Sequence, residues 1–242
     1  MKNSYTSMFI DPSEKATLFF GGGGKSTLMH RLSQDISASG QTVAIFSTYP
    51  TIMPMEAHMV ITPEIKHLKT ELEQELQSSS VLYLGKKLNN DRLEAFSHNE
   101  LMQLLKMELP VDRIFIEADN TDGRSVSGYR KLTLNYRLDR CINVIGADAF
   151  NKQKSDNWIK SRDSFWNTRD MLSPLNLAEW IDSRDIMKKI QNKKIPVTFF
   201  LNKVENIFTQ NLALAFGKKI KQSGFDRVVI GSVFNSQFQL IE

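Results

Sequence analysis

Four consecutive glycines, Gly21, Gly22, Gly23 and Gly24, run directly into Lys25, Ser26 and Thr27. Glycine lacks a Cβ, so its backbone can take left-handed turns and bring N–H groups close around a polyphosphate. A helix beginning at this point adds unpaired N–H groups and the positive end of its dipole to the same anion. Lys25 then reaches the terminal phosphates as the charge-stabilising group, and Ser26 holds Mg²⁺ through its hydroxyl. The chemistry implied is binding of a nucleotide, ATP or GTP, together with Mg²⁺.

Three other blocks could complete such a site. Ile114-Phe115-Ile116-Glu117-Ala118-Asp119 is an apolar strand ending in acids. An acid at a strand tip holds Mg²⁺ or its water. Asp119 is expected to contact the ion, and Glu117 to orient the attacking water, both on one side of the strand if it stays extended. Thr48, in Ser47-Thr48-Tyr49-Pro50-Thr51, is the other candidate for placing that water. Leu201-Asn202-Lys203-Val204-Glu205 resembles the N-K-x-D base-reading motif of GTP-binding proteins. Asn202, Lys203 and Glu205 are therefore base-side candidates, although Glu205 is one methylene longer than aspartate and weakens any preference for guanine. Each block also has a plainer reading: acids capping a strand end, a Pro-containing turn, a polar loop after a strand. Arg124 could neutralise phosphate or simply face solvent.

The elements that must position these residues alternate. Residues 16–20, 42–48, 81–84, 113–118, 141–145, 196–201 and 227–230 read as strands, the last of them closing the chain. Residues 26–37 and 64–77 carry apolar residues at helical spacing, as do 173–180 and 212–221. Ser39-Gly40 stops the first helix, and Ser173-Pro174 opens a later one. Alternation of this kind predicts an α/β, three-layer P-loop NTPase-like fold with a mostly parallel central sheet and helices on both faces. Ligands of such sheets bind at the carboxyl ends of the strands, and the loop after each key strand carries the candidates just named.

Composition bounds the rest. The chain has 242 residues, 41% hydrophobic and 24% charged, which suits a single nucleotide-binding domain spanning 1–242. A net charge of +4 does not by itself argue for nucleic acid. The lysine pairs near 188, 193 and 218 read as solvated helix faces. One cysteine, Cys141, excludes an internal disulfide and a cysteine-based metal site. His30, His58, His67 and His98 lack metal-ligand spacing. No signal-peptide run or span-length apolar stretch is present, so no membrane association is expected and the cytoplasm is the expected compartment.

The glycine loop departs from G-x-x-x-x-G-K-[ST], which needs glycine where Phe19 stands. It fits K-G-G-x-G-K-[ST] over positions 20 to 26 with Phe20 in place of the leading lysine. It thus resembles the deviant loop of the signal-recognition and MinD-like class, minus the charge that acts across a dimer interface. With Ser47-Thr48, Glu117-Ala118-Asp119, Gly123-Arg124, residues 144–149, Leu172-Ser173-Pro174 and Leu201–Glu205, the chain resembles the selenium-dependent hydroxylase accessory proteins over most of its length. The resemblance implies a cytoplasmic accessory factor in maturation of selenium-dependent molybdenum hydroxylases. Its partners would be the nucleotide and a molybdenum hydroxylase or its cofactor, with a homodimer paired over the nucleotide left open. Asn120, Ser125 and Ser127 stand where the family has glycine, proline and lysine, so a member that binds nucleotide with altered or lost turnover stays open. A small-molecule kinase or nucleotidyltransferase on the same scaffold is one alternative. A non-catalytic, nucleotide-dependent interaction module is another.

Overall fold

A computed structural model of the chain describes residues 5–52, 54, 56–127, 129, 137–155, 157–159, 165–166, 171–225 and 227–241. Nine strands form one sheet in the order β12-β11-β10-β9-β1-β8-β2-β5-β4. In chain order these are β1 (Ala16–Gly21), β2 (Val43–Ser47), β4 (His58–Ile61), β5 (Val81–Gly85), β8 (Arg113–Glu117), β9 (Arg140–Gly146), β10 (Val197–Asn202), β11 (Arg227–Ser232) and β12 (Gln237–Ile241). A small second sheet joins β3 (Thr51–Ile52), β6 (Leu88–Asn89) and β7 (Arg92–Leu93). All pairings in the large sheet are parallel except β11 with β12. The mostly parallel α/β architecture is therefore present. One boundary is corrected: β11 does not close the chain, because β12 returns beside it and caps the sheet edge.

Central strands read as unbroken apolar runs because both of their faces are covered. Successive side chains alternate between two cores. Leu18 and Phe20 face one side, with Ile114, Ile116, Phe199 and Leu201. Phe19 faces the other, with Phe115, Ile142 and Phe200, and the Phe19 and Phe115 rings meet edge-on at 4.9 Å. Five helices cover the first face: α2 (Ile65–Glu75), α3 (His98–Leu104), α4 (Pro174–Asp182), α5 (Asp185–Asn192) and α6 (Ile207–Gln222). The second face is covered by α1 (Lys25–Ala38), through Leu28, Met29, Leu32 and Ile36, and by the N-terminal turn at Tyr5–Met8.

Helix ends follow local chemistry. Gly40, at φ 85°, lets α1 close with Ser39 and Gly40 N–H groups donating to Ile36 O and Ser37 O. Ser97 and Glu100 form a reciprocal capping box on α3, and Ser173 caps α4 ahead of Pro174. The parallel order brings Gly21, Ser47, Glu117, Gly146 and Asn202, each the last residue of its strand, to one edge of the sheet.

Candidate functional site

The glycine loop turns from β1 into α1 with Gly21, Gly23 and Gly24 at φ 100°, 71° and 111°, values that favour glycine. The loop is also packed too closely for side chains. A Cβ on Gly22 would run into Arg124 O, and one on Gly24 into the Asn202 amide. Gly22 N–H donates to Val144 O at 2.8 Å and Gly23 N–H to Arg124 O at 2.9 Å. This corrects the expectation that the whole glycine run offers N–H groups to an anion: Gly22 and Gly23 spend theirs on the protein. The first helical bond runs from Leu28 N–H to Gly24 O, so the N–H groups of Lys25, Ser26 and Thr27 belong to the open first turn.

Lys25 folds back over the strand tips. Its Nζ donates to Ala118 O and Asp119 O, both at 2.6 Å, and to Tyr49 Oη at 3.2 Å, and lies 3.7 Å from Glu117 Oε1. Burial pushes its pKa down, while Glu117 and Asp119 pull it back up. Ser26 Oγ donates to Glu117 Oε1. Tyr49 lies with its ring 5.1 Å from the ammonium. Its hydroxyl is held protonated by burial, by the Glu117 charge and by a hydrogen bond to Glu117.

The structure thus brings Lys25, Ser26 and Glu117 together, with Tyr49 as a member that sequence spacing gave no reason to single out. Asp119 occupies a different place from the expected one. The strand ends at Glu117, and Asp119 sits at φ 69°, so the two acids do not share an extended side. Asp119 contributes its carbonyl to Lys25 and its charge to the neighbourhood. Thr48 is exposed beside the cluster, its N–H donating to Glu117 O at 2.9 Å.

The base-side block lies against the loop through Asn202. Its Nδ2 donates to Gly23 O at 2.7 Å and its Oδ1 accepts from Val233 N–H at 3.0 Å. Lys203 turns instead to Asp148, at 2.6 Å, and Asp148 also accepts from Ser125 Oγ at 2.6 Å. Glu205 is exposed and accepts from Ser232 Oγ at 2.9 Å. Arg124 Nη1 donates to Thr121 O and pairs with Asp122, while its backbone lies on the loop. Phe20 is fully buried against Tyr129, so this position belongs to the core. Burial pushes the Cys141 thiol up to about 12, Arg140 opposing, which leaves it inert as a nucleophile.

Among the described residues no group of three or more His, Cys, Asp or Glu is arranged for a metal ion. Ser26 and Glu117 nevertheless offer adjacent hard oxygen donors, the type Mg²⁺ takes alongside phosphate oxygens and water. Among the described residues no helix is long and apolar enough to cross a membrane.

A glycine turn between the first strand and its helix, with lysine and serine against an acidic strand tip, defines a P-loop protein of the α/β class. The chain belongs to the YqeC family, whose model matches residues 17–162, and this agrees with the selenium-dependent hydroxylase accessory resemblance seen in the sequence. The fold is similar to the crystal structure of FlhF complexed with GTP and Mg²⁺, at TM-score 0.45 and 13% identity over 98% of this chain and 74% of that one. No curated protein matches the chain in sequence.

Proposed function

We propose that the chain is a Mg²⁺-dependent nucleotide-binding protein, a slow NTPase, serving maturation of selenium-dependent molybdenum hydroxylases. One observation carries this reading: Lys25, Ser26 and Glu117 converge at the mouth of α1, where the open first turn faces the strand tips. Phosphate oxygens would replace Ala118 O and Asp119 O as acceptors for Lys25, and the N–H groups of Lys25, Ser26 and Thr27 would meet the same anion. Ser26 and Glu117 would hold Mg²⁺, which supplies charge neutralisation on the phosphates when bound. Asp119 is left to act on the ion through water. Thr48, exposed beside Glu117, would position the attacking water. Catalysis of this kind is mainly positioning and electrostatics. The internal hydrogen bonds of Gly22 and Gly23 hold Gly21, Gly22, Gly23 and Gly24 in shape for it.

Asn202 would fix the loop, with Lys203 and Glu205 on the base side. Lys203 is engaged with Asp148 and Glu205 with Ser232, which supports loose base choice between ATP and GTP. The accessory role is carried by the family alone, and its partner would be the hydroxylase or its cofactor in the cytoplasm. Titration calorimetry with ATP and GTP, with and without Mg²⁺, tests the binding. Wild type should bind only with Mg²⁺, and Lys25→Met should lose at least a hundredfold in affinity. Undiminished affinity in that variant would remove the site from consideration.

A further inference from the structure

A pocket of ≈ 280 Å³ lies between α1, β2, β5 and the small sheet, and its lining includes Ser26 and Glu117. The body of the pocket is apolar, with Phe46 of β2, Leu84 of β5 and Leu93 of β7 among its walls. One wall is polar: His30 Nδ1 and Tyr83 Oη are 3.0 Å apart. Ile52 stands on the rim, 66% exposed. A second hollow of ≈ 440 Å³ shares His30, Pro54 and Tyr83 with the first and is lined also by Gln34 and His58.

The charges in this lining select the occupant. Among the described residues of the lining Glu117 is the one acid, and neither lysine nor arginine is present. Burial and the neighbouring Arg31 hold His30 below its usual range, so it is neutral near pH 7. Burial and Glu117 keep the Tyr83 hydroxyl protonated. Lys25 lies 3.7 Å from Glu117, outside the lining, and is already engaged there. An anion would therefore meet a carboxylate whose cation is taken, and desolvating a charge without a partner is unfavourable. A neutral, mostly apolar body with one donor for Glu117 meets every wall.

We propose that this pocket is a second ligand site, taking an uncharged, largely apolar ring compound whose hydrogen-bond donor faces Glu117 beside the nucleotide. The pocket stands on its own lining; only its coupling to the nucleotide rests on the function proposed above. Ser26 and Glu117 belong to both sites, so each ligand changes the affinity of the other, and by the same factor.

The test uses 2-naphthol, which is neutral at pH 7, and 2-naphthoate, which puts a carboxylate on the same ring body. Both are titrated against the full chain by saturation-transfer NMR. 2-Naphthol should bind saturably and 2-naphthoate at least tenfold more weakly. Ile52→Trp, at an exposed rim position, should weaken 2-naphthol at least fivefold with an unchanged melting temperature. Saturating Mg²⁺–GTP or Mg²⁺–ATP should shift 2-naphthol affinity at least threefold. Equal affinity for the two probes, or indifference to Ile52→Trp, overturns the pocket. Nucleotide binding without 2-naphthol binding overturns the pocket alone. 2-Naphthol binding in a chain that binds no nucleotide sustains the pocket and overturns the nucleotide reading.

Discussion

The sheet buries charge at both ends and treats it in opposite ways. At the amino ends of β8 to β11, Arg140 donates from Nε to Glu14 at 2.6 Å, from Nη1 to Thr198 at 3.0 Å and from Nη2 to Asp11 at 2.8 Å. Arg227 takes the other Asp11 oxygen at 2.9 Å. Arg113 donates to Pro12 O at 2.7 Å and to Glu14 O. Planar guanidinium forks thereby strap residues 11–14 across four strands, with geometry fixed by several bonds at once. At the carboxyl ends a single ammonium, Lys25, rests on two carbonyls and a tyrosine hydroxyl. A lysine on a flexible stem can exchange such acceptors for phosphate oxygens, whereas the arginine strap cannot move without detaching the N-terminal segment. One buried charge holds the fold and the other is placed to be recruited.

Substitution should separate the two ends by what is lost. Arg140→Met leaves Glu14 and Asp11 without their central partner, and breaking a buried pair in this way costs about 3–5 kcal/mol. Urea unfolding should show that loss, with nucleotide affinity of the folded fraction unchanged. Lys25→Met should instead lose nucleotide binding in the folded protein. It also leaves the buried Glu117 without its ammonium, so a stability loss of up to about 3–5 kcal/mol should accompany it. Loss of nucleotide binding by folded Arg140→Met would erase the distinction. Asn202→Ala is intermediate. It strands Gly23 O and Val233 N–H, at roughly 1–3 kcal/mol for an unsatisfied buried group, and should weaken nucleotide binding by loosening the loop.

How much of this the sequence discloses depends on range. The glycine turn, its flanking strand and helix, and the acidic strand tip are local patterns, and each falls where the sequence puts it. Asn202 reaches the loop as a strand-end residue of a parallel sheet should. The sequence reading puts Asp119 on the ion and Glu117 on the water, an order that assumes an extended strand; the left-handed Asp119 ends that strand, and no local signal announces it. Lys203 reads in the sequence only as a base-side candidate, because its partner Asp148 is distant in the chain. Tyr49 and the backbone at Arg124 gave no motif at all. The arginine strap was invisible for a related reason: charged residues at strand starts ordinarily read as solvated. The strand β12 was missed because its outward side chains, Gln237 and Gln239, are polar and exposed, as on an antiparallel edge.

Acid offers the gentlest probe of the same contrast. Burial raises the Asp11 carboxyl, but Arg227 and Arg140 together outweigh it and hold the pKa below the usual value of 3.8. Its ionised form is therefore favoured in the folded state, so the contribution is complete above about pH 4 and is lost as pH falls below that. Asp112, held down by Thr42, and Glu100, held down by Ser97, act in the same direction. Asp11 is 43% exposed, so solvent screening limits its share to under about 1 kcal/mol. Urea midpoints should be level from pH 7 to 5 and fall between about pH 4 and 2. Asp11→Asn should flatten that fall, because the arginine strap then has one fewer titrating partner, and should leave the pH dependence of nucleotide binding as it was. A variant that altered the binding profile instead would show the two ends of the sheet to be electrically coupled.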